Sequence, residues 1–247
     1  MIRTHRLVEG ALVQGEGAKS IRVPDSEDRS WYIAVAPDAE ERQMLAERLG
    51  LHELALSDAL RERQPAKFED FGDHLFVIAH TPVEGQSVPT RKIAIFLGET
   101  WVLSVTTVPL DTVHEVESRV LNEPQRFLPH PERVMHALLD HQMEGFQRLV
   151  DGLVDHVDTL ECSTIDRAEL DCLRAIQEGR RQVAKLLRIT RTQRDVCLTL
   201  SRTNHKVLPS RITPYLRDVY DHCLRVYDLL EGSAIRWRRR GTATCRP

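Results

Sequence analysis

The feature that most constrains the fold is a heptad pattern of apolar residues in the second half of the chain. Its members recur at alternating intervals of 4 and 3 residues: Leu139, Met143, Phe146, Val150, Leu153, Val157 and Leu160. Such spacing lines one stripe of an α-helix with side chains that must be buried against other helices. A helix over residues 132–162 would be about 45 Å long. The pattern therefore predicts a long helix within a helical assembly.

Two further helices are predicted after it. A weaker apolar face runs from 169 to 200, and beyond Pro209 and Pro214 the spacing returns at Leu216, Val219, Cys223, Val226 and Leu230. Residues 131–231 are thus predicted to form a long-helix subdomain of three antiparallel helices. The remaining segment, 232–247, carries five arginines and no acidic residue. We expect a basic, disordered tail there, the alternative being contact with phosphate or an anionic membrane surface.

The first 130 residues have the pattern of an α/β subdomain. Apolar, β-branched runs predict strands over 30–36 and 74–80 and a hairpin over 93–105 that turns at Gly98. Asp38 and Glu41 have the spacing of a helix start, which predicts a helix ending at Gly50. Further helices are expected over 53–63 and 111–121. The fold class is therefore α+β or α/β: a mixed sheet covered by helices, followed by the three long helices.

Composition excludes several classes of protein. The formal net charge of −3 over 247 residues gives no basic excess, so no nucleic-acid partner is expected. The five cysteines contain no Cys-x-x-Cys pair, which favours scattered reduced thiols. The longest apolar stretch, 93–108, is broken by Gly98-Glu99 and is shorter than the roughly 20 residues of a membrane span. The chain is expected to be soluble.

Motifs of catalysis are incomplete, so we expect no enzyme, and a metalloenzyme is the weakest hypothesis. His52-Glu53 begins like a zinc motif, but Leu56 stands where the second histidine is needed. In contrast, His136, Asp140 and Glu144 recur at intervals of four on one predicted helix face. Such a stripe has two interpretations: a divalent-cation site or a solvated helix face.

Four segments in order resemble the CorA family of divalent-cation transporters. They are Gly50-Leu51-His52-Glu53-Leu54-Ala55-Leu56-Ser57-Asp58, Gln64-Pro65-Ala66-Lys67-Phe68-Glu69 through Phe76, Leu138-Leu139-Asp140, and Pro214-Tyr215-Leu216-Arg217-Asp218-Val219-Tyr220-Asp221-His222. The resemblance implies a cytoplasmic regulatory domain, on the inner face of the membrane, with an α/β part followed by a funnel of long helices. It also implies a homopentamer whose transmembrane segments anchor it in the membrane.

The resemblance further implies a metal role for three aspartates. Asp58 and Asp218 match positions that hold Mg²⁺ between neighbouring subunits, and Asp140 matches a contributor to a second site. Two carboxylates at about 4 Å repel by about 4 kcal/mol at an effective dielectric of 20, and a dication between them reverses the sign. Loss of Mg²⁺ would then loosen the funnel and gate transport. Zn²⁺ or Co²⁺ are alternative ions, and a salt bridge or an N-cap is the alternative role for Asp58 and Asp218.

The chain also departs from the family pattern. Glu53 replaces a proline and Ser57 replaces a glutamate that would have been a further carboxylate. Gly-Met-Asn and both membrane spans of the family are absent. A natural truncation, a frame change and a soluble piece of a transporter are three possible explanations of this difference. Without the spans, a monomer or weak oligomer is expected. Two alternative functions remain: a ZntB-like zinc transporter domain, and a helical interaction module without a metal.

Overall fold

A single mixed sheet organises the first half of the chain. The computed structural model describes residues 1–24, 28–83, 90–164 and 170–241, with side chains throughout except in 154–164, 170–173, 175–176 and 236–241. Its strands are β1 (Ile2–Val8), β2 (Ala11–Glu16), β3 (Arg29–Val35), β4 (Lys67–Asp70), β5 (Leu75–Pro82), β6 (Thr90–Leu97) and β7 (Trp101–Thr106). They lie in the order β2-β1-β3-β7-β6-β5-β4. Only β3 and β7 pair in parallel among these strands, and the other pairs are antiparallel.

Helices cover both faces of the sheet because its central strands alternate between two buried apolar sets. Trp31, Ile33 and Val77 point to one face, where they join a core with α3 (Asp111–Asn122) and α5 (Pro131–Thr164). On the other face, Tyr32, Phe76 and Phe96 pack with α1 (Ala39–Leu49) and α2 (Glu53–Leu60). The short helix α4 (Pro124–Phe127) connects α3 to α5. A mixed sheet covered by helices is thus confirmed.

Local sequence signals set the bounds of α1 and α2. Asp38 accepts a hydrogen bond from the Glu41 amide at 2.9 Å, and Glu41 accepts one from the Asp38 amide at 3.1 Å, which forms the expected capping box. Gly50 ends α1 in the left-handed region, at φ 65°. The imidazole of His52 caps α2 by accepting from the Leu54 amide at 3.2 Å. Helix α2 ends at Leu60 rather than at 63, because Arg61 is already extended.

Three long helices form the second half, as the heptad pattern predicted. They are α5, α6 (Leu170–Arg202) and α7 (Thr213–Gly241), and α7 packs against both α5 and α6. Seam residues Leu139, Met143, Phe146 and Val150 of α5 are buried in one core with Leu216, Val219, Cys223, Val226 and Leu230 of α7. The side chains of Val157 and Leu160 lie outside the described residues, as do those of Cys162, Cys172 and Cys245.

Several elements differ from the sequence expectation. Strands β1, β2 and β4 were not predicted, and α7 continues past 231 to Gly241. The hydroxyl of Ser233 is buried and donates to the Leu229 carbonyl at 2.8 Å, so the helix passes through Gly232-Ser233 without exposing a polar group to the core. Residues 242–247 of the expected tail lie outside the described residues.

Candidate metal centre

Two of the three predicted aspartates meet between α5 and α7. Asp140 of α5 and Asp218 and His222 of α7 each offer one ligand atom, and these three atoms lie within 4.8 Å of one another. Nδ1 of His222 is 3.8 Å from Oδ1 of Asp140. We call these three residues the α5–α7 cluster. Its carboxylates come from helices that are far apart in sequence, so the tertiary packing itself creates the site.

The buried seam explains why these side chains come together. Val219 and Cys223 of α7 point into the core, and Asp218 and His222 precede them on the flank of the same face. On α5, Leu139 is buried and Asp140 follows it at the partly exposed edge of the seam. Residues four apart are neighbours on a helix surface, so Asp218 and His222 project together toward α5.

A second histidine, His136, lies beside the cluster. Its ring meets Tyr215 of α7 edge-on, with ring centroids 5.4 Å apart. Burial lowers the pKa of His136, while the charges of Asp140 and Asp218 act to raise it. Because burial dominates, the pKa of His136 lies below its usual value although two carboxylates are nearby.

An open groove between α5 and α7 adjoins the cluster at His222. Its volume is about 680 Å³. The lining side chains are Met143, Glu144, Gln147, His222, Arg225, Val226, Asp228 and Leu229. Because His222 belongs to both the groove and the cluster, and because Asp218 is exposed, an ion can reach the cluster without any opening of the fold.

The donor set suits a small divalent cation. Mg²⁺ binds oxygens at about 2.1 Å, so two ligands on opposite sides of it are about 4 Å apart. Mutual separations of up to 4.8 Å in the α5–α7 cluster fit an ion held by one or two carboxylates with water completing its shell. The imidazole nitrogen of His222 adds a ligand that Zn²⁺ and Co²⁺ accept more readily than Mg²⁺ does.

The third predicted aspartate, Asp58, lies elsewhere. It belongs to α2, which covers the face of the sheet opposite to α5. Its Oδ2 accepts from Lys67 Nζ at 2.6 Å and its Oδ1 accepts from Gln64 Nε2 at 2.6 Å, while Arg61 lies 3.8 Å away. The hydrogen bond from Lys67 lowers the pKa of Asp58. Within one chain, Asp58 is therefore an ionised residue of a salt bridge and is not part of the cluster.

Sequence reasoning did not single out His222 as a ligand. The residue was within the segment that carried the family resemblance, four positions after Asp218. That spacing was a usable signal, because an acid and a histidine at i and i+4 share one helix face. What the sequence lacked was the rotation of α7 against α5, which decides whether this face meets Asp140.

Comparisons with known proteins agree with these observations. Residues 26–238 match the family model described as CorA-like Mg²⁺ transporter protein. The chain is 23% identical over 193 residues to the cobalt/magnesium transport protein CorA of Thermotoga maritima, covering 76% of this chain and 55% of that protein. A putative metal ion transporter of Bacillus subtilis is 21% identical, with coverages of 83% and 65%. The chain thus spans between half and two thirds of the length of these two relatives.

Solved structures share the fold. The soluble domain of CorA from Methanocaldococcus jannaschii superposes with a TM-score of 0.79 at 16% identity, covering 97% of this chain and 94% of that one. The ZntB cytoplasmic domain from Vibrio parahaemolyticus gives 0.78 at 11% identity, with coverages of 98% and 96%. The family model and the relative from Thermotoga maritima are named as transporters, which agrees with the expectation that the chain is not an enzyme. Among the described residues, no helix combines the length and apolarity needed to cross a membrane.

Proposed function

The chain belongs to the CorA-like Mg²⁺ transporter family, and on that premise we propose that it is the cytoplasmic regulatory domain of a divalent-cation transporter. The observation that carries the proposal is the α5–α7 cluster, in which Asp140, Asp218 and His222 offer ligand atoms within 4.8 Å of one another. Nothing in the apolar packing of the two helices requires two carboxylates at this point. A dication gives them a physical reason to be adjacent.

A bound ion would replace the repulsion between the two carboxylates of the cluster by attraction of both to the ion. Without it, the carboxylates of Asp140 and Asp218 repel, which weakens the contact of α7 with α5. With it, each carboxylate is attracted to a shared positive charge, and the packed arrangement of the two helices is favoured. The position of α7 against α5 is thus the structural quantity that a bound cation would change.

Asp58 has a separate part in the proposal. It matches a family position that holds a cation between subunits, so we propose that Asp58 meets an acid of a neighbouring copy in a homopentamer, where a dication would bridge the two chains. The ion in question is Mg²⁺, with Co²⁺ as an alternative. Association of the copies through Asp58 would then rise with cation concentration.

A zinc transporter domain is the second candidate function. It is favoured by the imidazole in the cluster, since nitrogen ligands suit Zn²⁺ better than Mg²⁺. The shared fold with a ZntB cytoplasmic domain is compatible with it but does not distinguish the two ions. The ion that stabilises the protein at the lower concentration decides between these functions.

Thermal unfolding with added cations tests the proposal. Mg²⁺ that binds only the folded chain stabilises it by about 2.7 kcal/mol at a concentration of 100 Kd, so Tm is expected to rise with millimolar MgCl₂ at constant ionic strength. Asp218→Asn and Asp140→Asn are expected to abolish the rise. Asp221→Asn removes an exposed carboxylate of the same helix outside the cluster and serves as the control. Equal responses in all variants, or no response to any divalent ion, would refute the proposal.

A further inference from the structure

Strand β2 forms one edge of the sheet. Its pairing with β1 starts at a two-residue turn, Glu9-Gly10, whose φ angles of 49° and 79° match a type I′ hairpin. In such a hairpin the residues next to the turn form a hydrogen-bonded pair, so Ala11 and every second residue after it bond to β1. The amide of Gly17 continues this alternation by donating to the Ile2 carbonyl at 2.9 Å.

The backbone groups that point away from β1 therefore belong to Leu12, Gln14 and Glu16. No described residue hydrogen-bonds to the amides or carbonyls of these three residues. Gln14 and Glu16 are exposed and Leu12 is half-buried, so water reaches the edge. A row of unpaired backbone donors and acceptors of this kind is a template for a further strand.

The opposite edge of the sheet is protected. Helix α6 packs against β4, and beyond it Nε2 of His205 is 3.3 Å from Oδ1 of Asp70. Where β5 extends past β4, Gln193 of α6 accepts a hydrogen bond from the His80 amide at 3.0 Å. In contrast, β2 contains no proline or lysine, and its ladder with β1 has no bulge. The devices that usually prevent pairing at a sheet edge are thus missing from β2.

We propose that β2 is a self-association edge, at which two copies of the chain join by antiparallel pairing of β2 with β2 about a two-fold axis through Gln14. The pairing continues the sheet of one copy into the sheet of the other, and both copies use the same surface. It goes beyond the proposed function, because it involves neither the α5–α7 cluster nor Asp58 and needs no cation.

The register of the pairing follows from the free backbone groups. Residues that point outward must form the hydrogen-bonded pairs, so Gln14 pairs with Gln14 of the second copy and Leu12 pairs with Glu16 of the second copy. Every outward amide and carbonyl of β2 then has a partner. Because the strand has 6 residues, the contact is small and the association is expected to be weak.

The side chains of β2 suit this register. Val13 is 42% exposed, and it comes opposite Gly15 of the second copy, where no side chain competes with it. Burial of Val13 then favours association. Glu16 lies opposite Arg3 of β1 in its own chain, so its carboxylate keeps a cation nearby when it comes opposite Leu12 of the second copy.

Charge favours the antiparallel direction. The hairpin turn before β2 carries Glu9, and the 3₁₀ turn after β2 (Ala18–Ser20) carries Lys19, and both side chains are exposed. Antiparallel pairing brings Glu9 of each copy toward Lys19 of the other, whereas parallel pairing would bring like charges together. The ends of β2 are therefore complementary to a second copy of β2.

Sedimentation velocity of the full chain without divalent cations tests the proposal. The unmodified chain is expected to show a monomer–dimer equilibrium that shifts toward dimer as concentration rises. Gln14→Pro removes an outward N–H that β1 does not use, and it should weaken the dimer by at least about tenfold. Gln14→Thr keeps the N–H and should associate as the unmodified chain does. A chain that stays monomeric would leave the edge to another protein and overturn the proposal, as would equal association of the two variants.

A cross-linking experiment tests the register and does not depend on the folding of Gln14→Pro. Residues in a hydrogen-bonded antiparallel pair have Cα atoms about 5.5 Å apart, within the roughly 4.4–6.8 Å that a disulfide spans. Glutathione disulfide should therefore join two chains that carry Gln14→Cys. In Glu16→Cys the two introduced thiols lie on opposite sides of the axis, so cross-linking should not exceed that of the unmodified chain. Equal cross-linking of the two cysteine variants would overturn the pairing.

The response to Mg²⁺ separates this proposal from the proposed function. Association that requires Mg²⁺, or that Asp58→Asn abolishes, would belong to the cation-bridged contact and would overturn the role of β2. Gln14→Pro should keep the rise of Tm with Mg²⁺, because β2 is not part of the α5–α7 cluster. Failure of either proposal is thus visible without failure of the other.

Discussion

Glu117 of α3 and His5 of β1 form a buried pair in which Oε1 lies 2.7 Å from Nε2. Arg3 of the same strand donates to both oxygens of Glu117, at 2.8 and 2.7 Å. Burial acts to raise the pKa of Glu117, but the hydrogen bonds from His5 and Arg3 outweigh it and lower the pKa to about 2. The carboxylate of Glu117 thus joins β1, a strand made largely of polar residues, to α3.

Removing this carboxylate should destabilise the fold. Glu117→Gln keeps the shape of the side chain but leaves Arg3 and His5 facing a neutral group. Breaking a buried ion pair costs about 3–5 kcal/mol, and because Arg3 is partly exposed we expect about 2–4 kcal/mol in urea unfolding. Glu115→Gln changes an exposed glutamate of the same helix and should alter stability by less than about 0.5 kcal/mol. Equal effects of the two variants would contradict this assignment.

The contribution of Glu117 should depend on pH in a defined window. Its pKa is lowered from 4.5 to about 2 in the folded chain. A lowered carboxyl pKa stabilises the fold fully above the unfolded value and loses this effect as pH falls toward the folded value. The free-energy difference between the unmodified chain and Glu117→Gln should therefore shrink between pH 4.5 and 2. A difference that stays constant through this range in urea titrations would show that the charge of Glu117 is not the cause.

The same strand shows what the sequence could not predict. The heptad seam and the apolar strands were readable because their buried positions carry apolar side chains at a regular period. Strand β1 buries Thr4 and His5, whose polarity is compensated by partners far along the chain, so its pattern does not alternate. For the metal centre, the sequence indicated Asp140 and Asp218 separately, but the contact between them depends on how α7 is rotated against α5.

His222 should determine the preference of the α5–α7 cluster among ions. His222→Asn replaces an imidazole by an amide and leaves the carboxylates of Asp140 and Asp218 in place. Since Zn²⁺ and Co²⁺ gain more from a nitrogen ligand than Mg²⁺ does, their affinity should fall by at least tenfold while that of Mg²⁺ changes by less than about threefold. Titrations followed by Tm give these ratios. A uniform loss for all three ions would place His222 in a structural role.

Lys92 should stabilise the end of α2. Its Nζ lies close to the backbone carbonyls of Asp58 and Arg61, and its side chain is buried. Lys92→Met fills a similar volume but leaves two carbonyls of the last turn without a donor, which should cost about 1–3 kcal/mol in urea unfolding. Lys185→Met changes an exposed lysine of α6 and serves as the control. Stability equal to that of the control would show that water replaces the ammonium at these carbonyls.

Two glycines should respond to alanine in opposite directions. At Gly98, in the turn between β6 and β7, a Cβ would overlap the indole of Trp101 and come within 2.9 Å of Cδ1, so Gly98→Ala must displace a nearly buried ring. Overpacking of this kind costs about 1–3 kcal/mol.

At Gly232, inside α7, a Cβ meets nothing within 4 Å, and the gain in helix propensity should stabilise the chain by about 0.5–1 kcal/mol. Urea unfolding measures the change in the free energy of unfolding for each variant. A shift in Trp101 emission should accompany only Gly98→Ala. Destabilisation by Gly232→Ala would mean that the helix after Glu231 depends on a contact that alanine obstructs.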